Sequence, residues 1–330
     1  MAQIVKATDY NLNLCKQALV NSQVIAVPTE TVYGLAGNAL DEISLKAIFN
    51  IKNRPLFNPL IIHTDCTKSA EKYASFNPLA RQLAENFWPG PLTMILPKKE
   101  IVPNLITANL DSVAIRCPEN PTFLKLLKEL PFPLAAPSAN PFGYVSPTSA
   151  EHVNCSLGDK LEFILDGGDC TIGIESTIVD LRNSNKPKIL RPGPISKEEL
   201  EKLTGIAFEQ AKSASTNELR APGMLKSHYS PITPLKITPI DELQQLIASN
   251  SDPRTAFIFQ KCPENSVYQK SANVHWLSES GEALDIAQNF YQILRATDTL
   301  NYEFIYIEAI NETEGLMAAL KDRLLKAASK

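Results

Sequence analysis

The sequence predicts an α/β protein with two domains. Its 330 residues exceed the roughly 100–200 residues of one typical domain. Short apolar runs alternate with helical patterns up to about residue 205, a polar stretch with Gly, Pro and Ser follows, and a second alternation begins near residue 235. We therefore predict a large domain over residues 1–208, a linker over 209–234 and a smaller domain over 235–330.

Proline marks the predicted strands of the large domain. The chain holds 24 prolines, and proline ends a strand because it has no N–H for the next ladder bond. Five short β-like runs end at proline: Val24–Pro28, Leu92–Pro97, Val113–Pro118, Leu134–Pro137 and Ile189–Pro192. We expect these strands to stop at one common edge of a sheet, which is where α/β sheets place their ligands.

Three helices are predicted between these strands. Asp41–Lys52 and Pro78–Phe87 each repeat apolar residues at helical spacing, and the second has Asn77 as its cap. A third helix opens at Asn120-Pro121. These apolar stripes indicate core packing rather than a ligand site.

The tail repeats a strand–helix alternation that predicts a small, mostly parallel sheet. The predicted elements are a strand Leu235–Ile237, a helix Asp241–Ala248, a strand Thr255–Phe259, a helix Glu282–Arg295, a strand Phe304–Ile307 and a helix Gly315–Lys326.

Composition excludes several classes of protein. The net charge is −4, which disfavours a protein that coats nucleic acid through bulk charge. No apolar run reaches the roughly 18–20 residues of a membrane helix. The six cysteines lack a C-x-x-C pair and the four histidines lack an H-x-x-x-H pair, so we expect reduced thiols in a cytoplasmic protein and no structural metal site.

Basic and hydroxyl residues gather at the predicted strand ends, although the usual phosphate-binding glycine motifs are missing. Lys52 and Arg54 precede a rigid loop with two prolines, and Arg116 and Arg191 each end an apolar run. Lys52 could simply complement a helix dipole, and Arg116 could face either solvent or an anion. Together these four cations predict a site for a small polyanionic ligand such as a triphosphate.

Six motifs bring these residues together in one order: PTETVYGLAGNA, KNRPLFNPL, FWPGPLT, VAIRCP, APSAN and ESTIVD. In this order and spacing they resemble the YrdC/Sua5 family over about residues 10–200, and APGMLKSHYSP with the tail resembles its two-domain Sua5 type. The resemblance implies a twisted open mixed sheet with a smaller Rossmann-like domain. It also implies an L-threonylcarbamoyladenylate synthase, which joins L-threonine, bicarbonate and ATP and releases pyrophosphate.

The resemblance further implies a role for individual residues. Threonine contacts are implied at Thr31, His63, Arg116, Ala136 and Ser176, and ATP contacts at Arg54, Asn58, Ser112, Ser138, Ser146, Arg191 and Tyr229. Catalysis would rest on Lys52, Arg54 and Arg116, with Mg²⁺ accompanying ATP and no metal held by the protein alone. The product would pass to proteins that form N6-threonylcarbamoyladenosine at position 37 of tRNA.

Two alternatives stay open at this point. One is a carbamoyl-transfer enzyme like the hydrogenase-maturation protein that shares this domain, although its C-x-x-C zinc modules are absent here. The other is a module that binds double-stranded RNA or tRNA without adenylation activity. The net charge of −4 indicates that any RNA binding is weak.

The linker motif suggests a lid. Pro222-Gly223 can form a sharp turn, and His228 and Tyr229 supply planar polar tips. We hypothesise that the segment 221–231 lies across the mouth of the site, where it excludes water and places Tyr229 near the nucleotide. A plain tether is the simpler interpretation of the same composition.

Overall fold

The structure is a computed structural model that describes residues 1–211, 222–223, 228–249 and 252–329. Its strands are β1 Gln3–Lys6, β2 Ile25–Val27, β3 Gly34–Asn38, β4 Ile61–His63, β5 Leu92–Pro97, β6 Ser112–Arg116, β7 Leu134–Ala135, β8 Phe163–Asp166, β9 Thr177–Asp180, β10 Lys188–Arg191, β11 Glu209–Gln210, β12 Leu235–Thr238, β13 Thr255–Lys261, β14 Val274–Ser278 and β15 Phe304–Glu308. Its helices are α1 Asp9–Val20, α2 Glu42–Lys52, α3 Thr67–Ala70, α4 Pro78–Phe87, α5 Pro121–Glu129, α6 Ala150–Leu157, α7 Lys197–Thr204, α8 Ile240–Ser249, α9 Ser266–Gln269, α10 Ala283–Thr299 and α11 Gly315–Ala327.

Two sheets organise the described chain. The large one has 11 strands in the order β1-β8-β2-β3-β7-β4-β6-β5-β9-β10-β11, and it mixes parallel with antiparallel pairs. The small one has the order β12-β15-β13-β14 with every pair parallel. The predicted α/β fold with a mixed sheet and a smaller parallel domain is therefore confirmed.

The expectation of one common edge is wrong, because three of the five proline-marked strands, β2, β5 and β7, run opposite to the other two, β6 and β10. β5 runs antiparallel to β6, so Pro97 pairs with Ser112 at the end opposite Arg116. β7 likewise runs antiparallel to β4, and Leu134 rather than its following proline lies beside His63. A proline shows that a strand ends, but it does not show which way that strand runs in the sheet.

Strand register nevertheless aligns two parts of the predicted site. His63 pairs with Arg116 across β4 and β6. Thr93 on β5 pairs with Ile178 on β9, and Arg191 on β10 pairs with the same isoleucine. The register of β10 shifts between Ile189 and Arg191, which is a β-bulge at position 190.

Helix caps follow the sequence closely. The Asp41 side chain accepts hydrogen bonds from the first turn of α2, and Asn77 does the same for α4, which has proline in its first turn. α2 ends at Asn53 in the left-handed conformation, with φ of 52°. This left-handed turn directs the chain from Lys52 into the loop that carries Arg54.

One buried apolar cluster joins the two domains. Val32, Val145 and Ile174 of the large domain belong to the same buried cluster as Ile286 and Phe290 of α10. Side chains of the small domain therefore reach the large domain next to the ESTIVD motif.

The predicted elements of the tail are confirmed to within about four residues at their ends, as in α8 at Ile240–Ser249 and α11 at Gly315–Ala327. The sequence analysis missed strand β14, Val274–Ser278. Among the described residues, none of the helices combines the length and the apolar composition needed to cross a membrane.

Candidate active site

A cavity lies where the large sheet, the ESTIVD segment and the linker residues Pro222, Gly223, His228 and Tyr229 meet. Most of the residues predicted from the sequence line it. The lining comprises Thr29, Thr31, Val32, Gly34, Arg54, Ile61, His63, Arg116, Ala136, Pro137, Ser138, Glu175, Ser176, Arg191, Pro222, Gly223, His228 and Tyr229. The three arginines are 3–7% exposed, so the cavity is cationic in an acidic protein.

Arg116 is fixed by three groups. Its Nη1 donates to Thr31 Oγ1 at 3.0 Å, its Nη2 forms an ion pair with Glu30 at 2.6 Å and its Nε donates to the Gly90 carbonyl at 3.2 Å. The Thr31 hydroxyl in turn lies 2.8 Å from Thr29 Oγ1. Arg116 is therefore buried and held in one orientation, which excludes the interpretation that it faces solvent.

Arg54 is held by the loop that it begins. Its Nη2 donates to Asn58 Oδ1 at 2.7 Å and to the Pro59 carbonyl at 2.8 Å. Burial, with the like charge of Arg191, lowers the pKa of Arg54 to about 9. A guanidinium desolvated in this way gains from an anion beside it.

Arg191 joins the ESTIVD segment to the linker. Its Nε and Nη2 both donate to Ser176, while its Nη1 donates to the Pro222 carbonyl at 3.3 Å. Burial lowers the pKa of Arg191. A Cβ on Gly223, which has a φ of 81°, would lie 2.4 Å from Tyr229 Oη and 3.0 Å from Arg191 Cδ, so only glycine fits here.

Lys52 is close to the cavity but not in its lining. Its Nζ donates to the backbone carbonyls of Ser138 and Asn140 at 2.5 Å. Burial and then the charge of Arg54 lower the pKa of this ammonium well below its usual value. Lys52 therefore supports the APSAN loop, and its predicted part in catalysis stays a prediction.

Three further residues predicted to contact ATP lie outside the lining. Asn58 orients Arg54, as above, and Ser146 Oγ donates to Glu175 Oε1 at 2.6 Å. Ser112 begins β6, at the end opposite Arg116. Asn58 Nδ2 and Ser112 Oγ are buried and have no hydrogen-bond partner among the described residues, so both have polar capacity available to a ligand.

His63 and Tyr229 present neutral polar groups to the cavity. Burial and the charge of Arg116 lower the pKa of His63 to about 3. Burial and the charge of Glu175 raise the pKa of Tyr229 to about 12. Tyr229 is 1% exposed, and its Oη has no hydrogen-bond partner within the described chain. Neither group carries charge at neutral pH, so both can bond a substrate hydroxyl or phosphate without adding to the cationic field.

The sequence analysis did not single out Glu175, the acidic member of the lining. It stands inside the ESTIVD motif, so a signal was present, although a carboxylate is unexpected beside phosphate-binding arginines. Gly223 and Pro222 also belong to the lining. The rest of the hypothesised lid, residues 221 and 224–227, lies outside the described residues.

Known proteins match nearly the whole chain. The family model for Sua5, YciO and YrdC, described as "Telomere recombination", matches residues 17–193. The model described as "Threonylcarbamoyl-AMP synthase, C-terminal domain" matches residues 195–329. Threonylcarbamoyl-AMP synthase of Pyrococcus abyssi is 39% identical, over 97% of this chain and 94% of its own. The chain therefore belongs to the threonylcarbamoyl-AMP synthase family.

Other members of this family agree in sequence and structure. The synthase of Bacillus subtilis is 37% identical over 94% of this chain and 90% of its own. The crystal structure of P. abyssi Sua5 complexed with L-threonine matches with a TM-score of 0.90 at 36% identity, over 99% of this chain and 98% of that one. The expected function, threonylcarbamoyl-AMP synthesis by a nucleotidyltransferase, is thereby confirmed. A non-enzymatic RNA-binding module no longer fits.

Proposed function

We propose that the cavity binds L-threonine, bicarbonate and MgATP and joins them into threonylcarbamoyl-AMP, for use in tRNA N6-threonylcarbamoyladenosine formation. The observation that carries this proposal is the convergence of Arg54, Arg116 and Arg191, all buried, on one cavity with neutral hydroxyl and imidazole groups between them. Desolvated guanidinium groups suit the phosphate and carboxylate groups of these substrates.

The threonine end is proposed to lie around Arg116. Its guanidinium would bind the substrate carboxylate, while Thr31 and His63 would bond the hydroxyl. Ala136 and Ser176 complete the lining on either side. The crystal complex of P. abyssi Sua5 with L-threonine supports a threonine site in this family.

The nucleotide end is proposed to lie around Arg54 and Arg191. These arginines would bind the phosphates, with Asn58, Ser112, Ser138, Ser146 and Tyr229 as further ATP contacts. Lys52 would keep the Ser138 carbonyl and its loop in place. The described residues hold no cluster of three carboxylate, histidine or cysteine side chains that could hold a metal by itself. We propose that Mg²⁺ enters as part of the substrate MgATP, bound through the phosphates.

The proposed reaction needs positioning more than covalent work by the protein. The threonine amine adds to bicarbonate, which forms a carbamate and releases water. A carbamate oxygen then attacks the α-phosphorus of ATP, the bond from that phosphorus to the bridging oxygen breaks, and pyrophosphate leaves. Arg54 and Arg191 would neutralise the charge that builds up on the leaving group. Burial of the site would protect the labile carbamate and mixed anhydride from water.

Pyrophosphate release tests this proposal. We expect release only when ATP, L-threonine and bicarbonate are all present, with threonylcarbamoyl-AMP identified by mass spectrometry. Release that is independent of threonine or bicarbonate would contradict it. We also propose a cytoplasmic location, supported by six free cysteines, and handover of the product to proteins that modify tRNA.

A further inference from the structure

The cationic cavity contains one feature that opposes polyphosphate binding. Glu175 is the acidic side chain among its lining residues and is 6% exposed. Burial alone would raise the pKa of Glu175, but Arg323, Arg191 and Ser146 outweigh burial and lower that pKa to about 2. The group is thus a carboxylate at neutral pH, and an uncompensated carboxylate would repel the phosphates of ATP.

The small domain supplies the compensation. Arg323, on α11 and 0% exposed, donates from Nε to Glu175 Oε2 at 2.8 Å. Its Nη2 donates to the Pro192 carbonyl at 2.9 Å, and its guanidinium lies 5.2 Å from the Tyr229 ring centre. Tyr291 on α10 adds a bond from Oη to Glu175 Oε2 at 3.0 Å. Two side chains of one domain therefore bind a carboxylate in the active site of the other.

The carboxylate has a use of its own. Its Oε1 accepts the hydrogen bond from Ser146, at 2.6 Å, and Ser146 is a proposed ATP contact. Glu175 thus orients a hydroxyl at the nucleotide end, which a neutral apolar residue could not do. A carboxylate that orients Ser146 without repelling ATP needs a cation on its other oxygen.

We propose that Arg323 is a positioning residue that masks the charge of Glu175, so that docking of the small domain sets the affinity of the cavity for nucleotide. This inference rests on the proposed binding of ATP in this cavity. ATP carries several negative charges, whereas threonine is a zwitterion with no net charge. Loss of the mask therefore weakens ATP binding selectively.

The test uses the full chain and titration with α,β-methylene ATP, which cannot be cleaved at the reacting bond. Arg323→Met should weaken binding of this analogue roughly tenfold or more, while L-threonine binding changes little. Arg323→Lys, which keeps the charge, should bind nearly as well as the wild type. The double variant Glu175→Gln/Arg323→Met should recover most of the lost affinity, because the charge and its mask are removed together.

Arg295→Met is the matched control. Arg295 is also a buried arginine of the small domain, but it donates to the carbonyls of Val145 and Ser146, at 2.7 and 3.2 Å, and not to Glu175. Arg295→Met should lower the unfolding temperature. Any nucleotide affinity that this variant loses should not return when Glu175→Gln is added to it. Failure of the wild type to bind the analogue would overturn the proposed function itself.

Other outcomes overturn the mask alone. One is that the wild type binds the analogue but the double variant recovers none of the affinity lost in Arg323→Met. Another is an equal loss of threonine and nucleotide affinity in Arg323→Met. If Arg323→Met does not fold, Glu175→Gln alone decides, since the mask predicts that it binds the analogue at least as tightly as the wild type, and weaker binding contradicts it.

Discussion

Arg191 binds Ser176 at two points, donating from Nε to its backbone carbonyl and from Nη2 to its hydroxyl, each at 3.0 Å. The same hydroxyl lies 2.8 Å from Thr93 Oγ1. Since Arg191 is assigned to the nucleotide and Ser176 to threonine, this contact joins the two halves of the proposed site. If these assignments are right, a group that binds one substrate is held in place by a group that binds the other.

Replacement of Arg54 tests the phosphate contact. Arg54→Ala should lower kcat/KM for ATP by roughly 10²-fold or more, because a buried charged contact is lost. Arg81→Ala is the control, since Arg81 forms an exposed ion pair with Glu71, and it should stay within about twofold of the wild type. Adenylate formation near the wild-type rate by Arg54→Ala would show that the phosphates bind elsewhere.

Substrate choice tests the threonine end. Valine replaces the threonine hydroxyl with a methyl group, which would leave His63 Nδ1, a buried atom with no hydrogen-bond partner among the described residues, unpaired. We expect kcat/KM for valine to be lower by roughly 10²-fold or more. Competition between the two amino acids in the pyrophosphate assay measures this ratio, and comparable turnover would mean that the pocket is assigned wrongly.

Gly223 tests the contact between the linker and the arginines. Gly223→Ala should reduce activity at least roughly tenfold, because its Cβ would displace Tyr229 Oη or Arg191. Gly205 makes a matched control: its φ is also positive, at 69°, but nothing lies within 4 Å of an added Cβ. Gly205→Ala should lower stability with activity unchanged. Equal activities of the two variants would contradict a close fit at Gly223.

Limited proteolysis tests the lid hypothesis. Cleavage within residues 212–230 should slow when ATP and threonine are added together, because a closed segment is a poor protease substrate. A chain ending near residue 205 should bind ATP more weakly and lose product to hydrolysis. Cleavage that is indifferent to substrates, with full activity of the shortened chain, would reduce the segment to a tether.

Acid should destabilise the protein from pH 6.5 downward. Burial, with neighbouring cations, lowers the pKa values of both His63 and His228 from 6.5 to about 3. The unfolded chain therefore takes up protons that the folded chain does not, and stability present above pH 6.5 is lost as the pH falls towards about 3.

As the pH falls from 7.5 to 5.5, His63 and His228 should each reduce the free energy of unfolding by about 1.4 kcal/mol. Urea unfolding followed by tryptophan fluorescence measures the change. His63→Gln should remove about half of the part due to these two residues, and a stability that is flat over this range would contradict neutral burial. Glu175 acts in the same direction at lower pH, since its stabilisation is present above pH 4.5 and lost as the pH falls through about 2.

The sequence predicted the composition of the site better than its construction. Lys52, Arg54, Arg116 and Arg191 stand in local motifs that mark strand and helix ends, so their gathering at one site could be expected. The antiparallel pairing of β5 with β6 could not be predicted, because local residues do not fix the direction in which two strands pair. Lys52 looked like a ligand group from its motif alone, but its Nζ bonds backbone carbonyls.

The sequence did not predict contacts between residues that lie far apart along the chain. Arg323 lies 148 positions from Glu175, within a helix whose other residues show nothing unusual. An arginine on a helix is more often solvated, and only the packing of α11 against the large domain shows that Arg323 is buried. The family motifs identified the first domain, but they carried no information on how the second domain reaches it.

The bulge in β10 determines which face of the sheet receives a charge. Ile189 pairs with Val179, and both belong to the main core, the buried cluster on the side of the sheet away from the cavity. Leu190 instead packs with Ile61 in a smaller buried cluster on the cavity side. If side chains alternated regularly between the two faces of the strand, Arg191 would point back into the main core. The extra residue instead keeps Arg191 opposite Ile178, on the ligand side. Grafting this site onto another scaffold therefore requires copying the irregular strand, since a regular one would direct the guanidinium into a hydrocarbon interior.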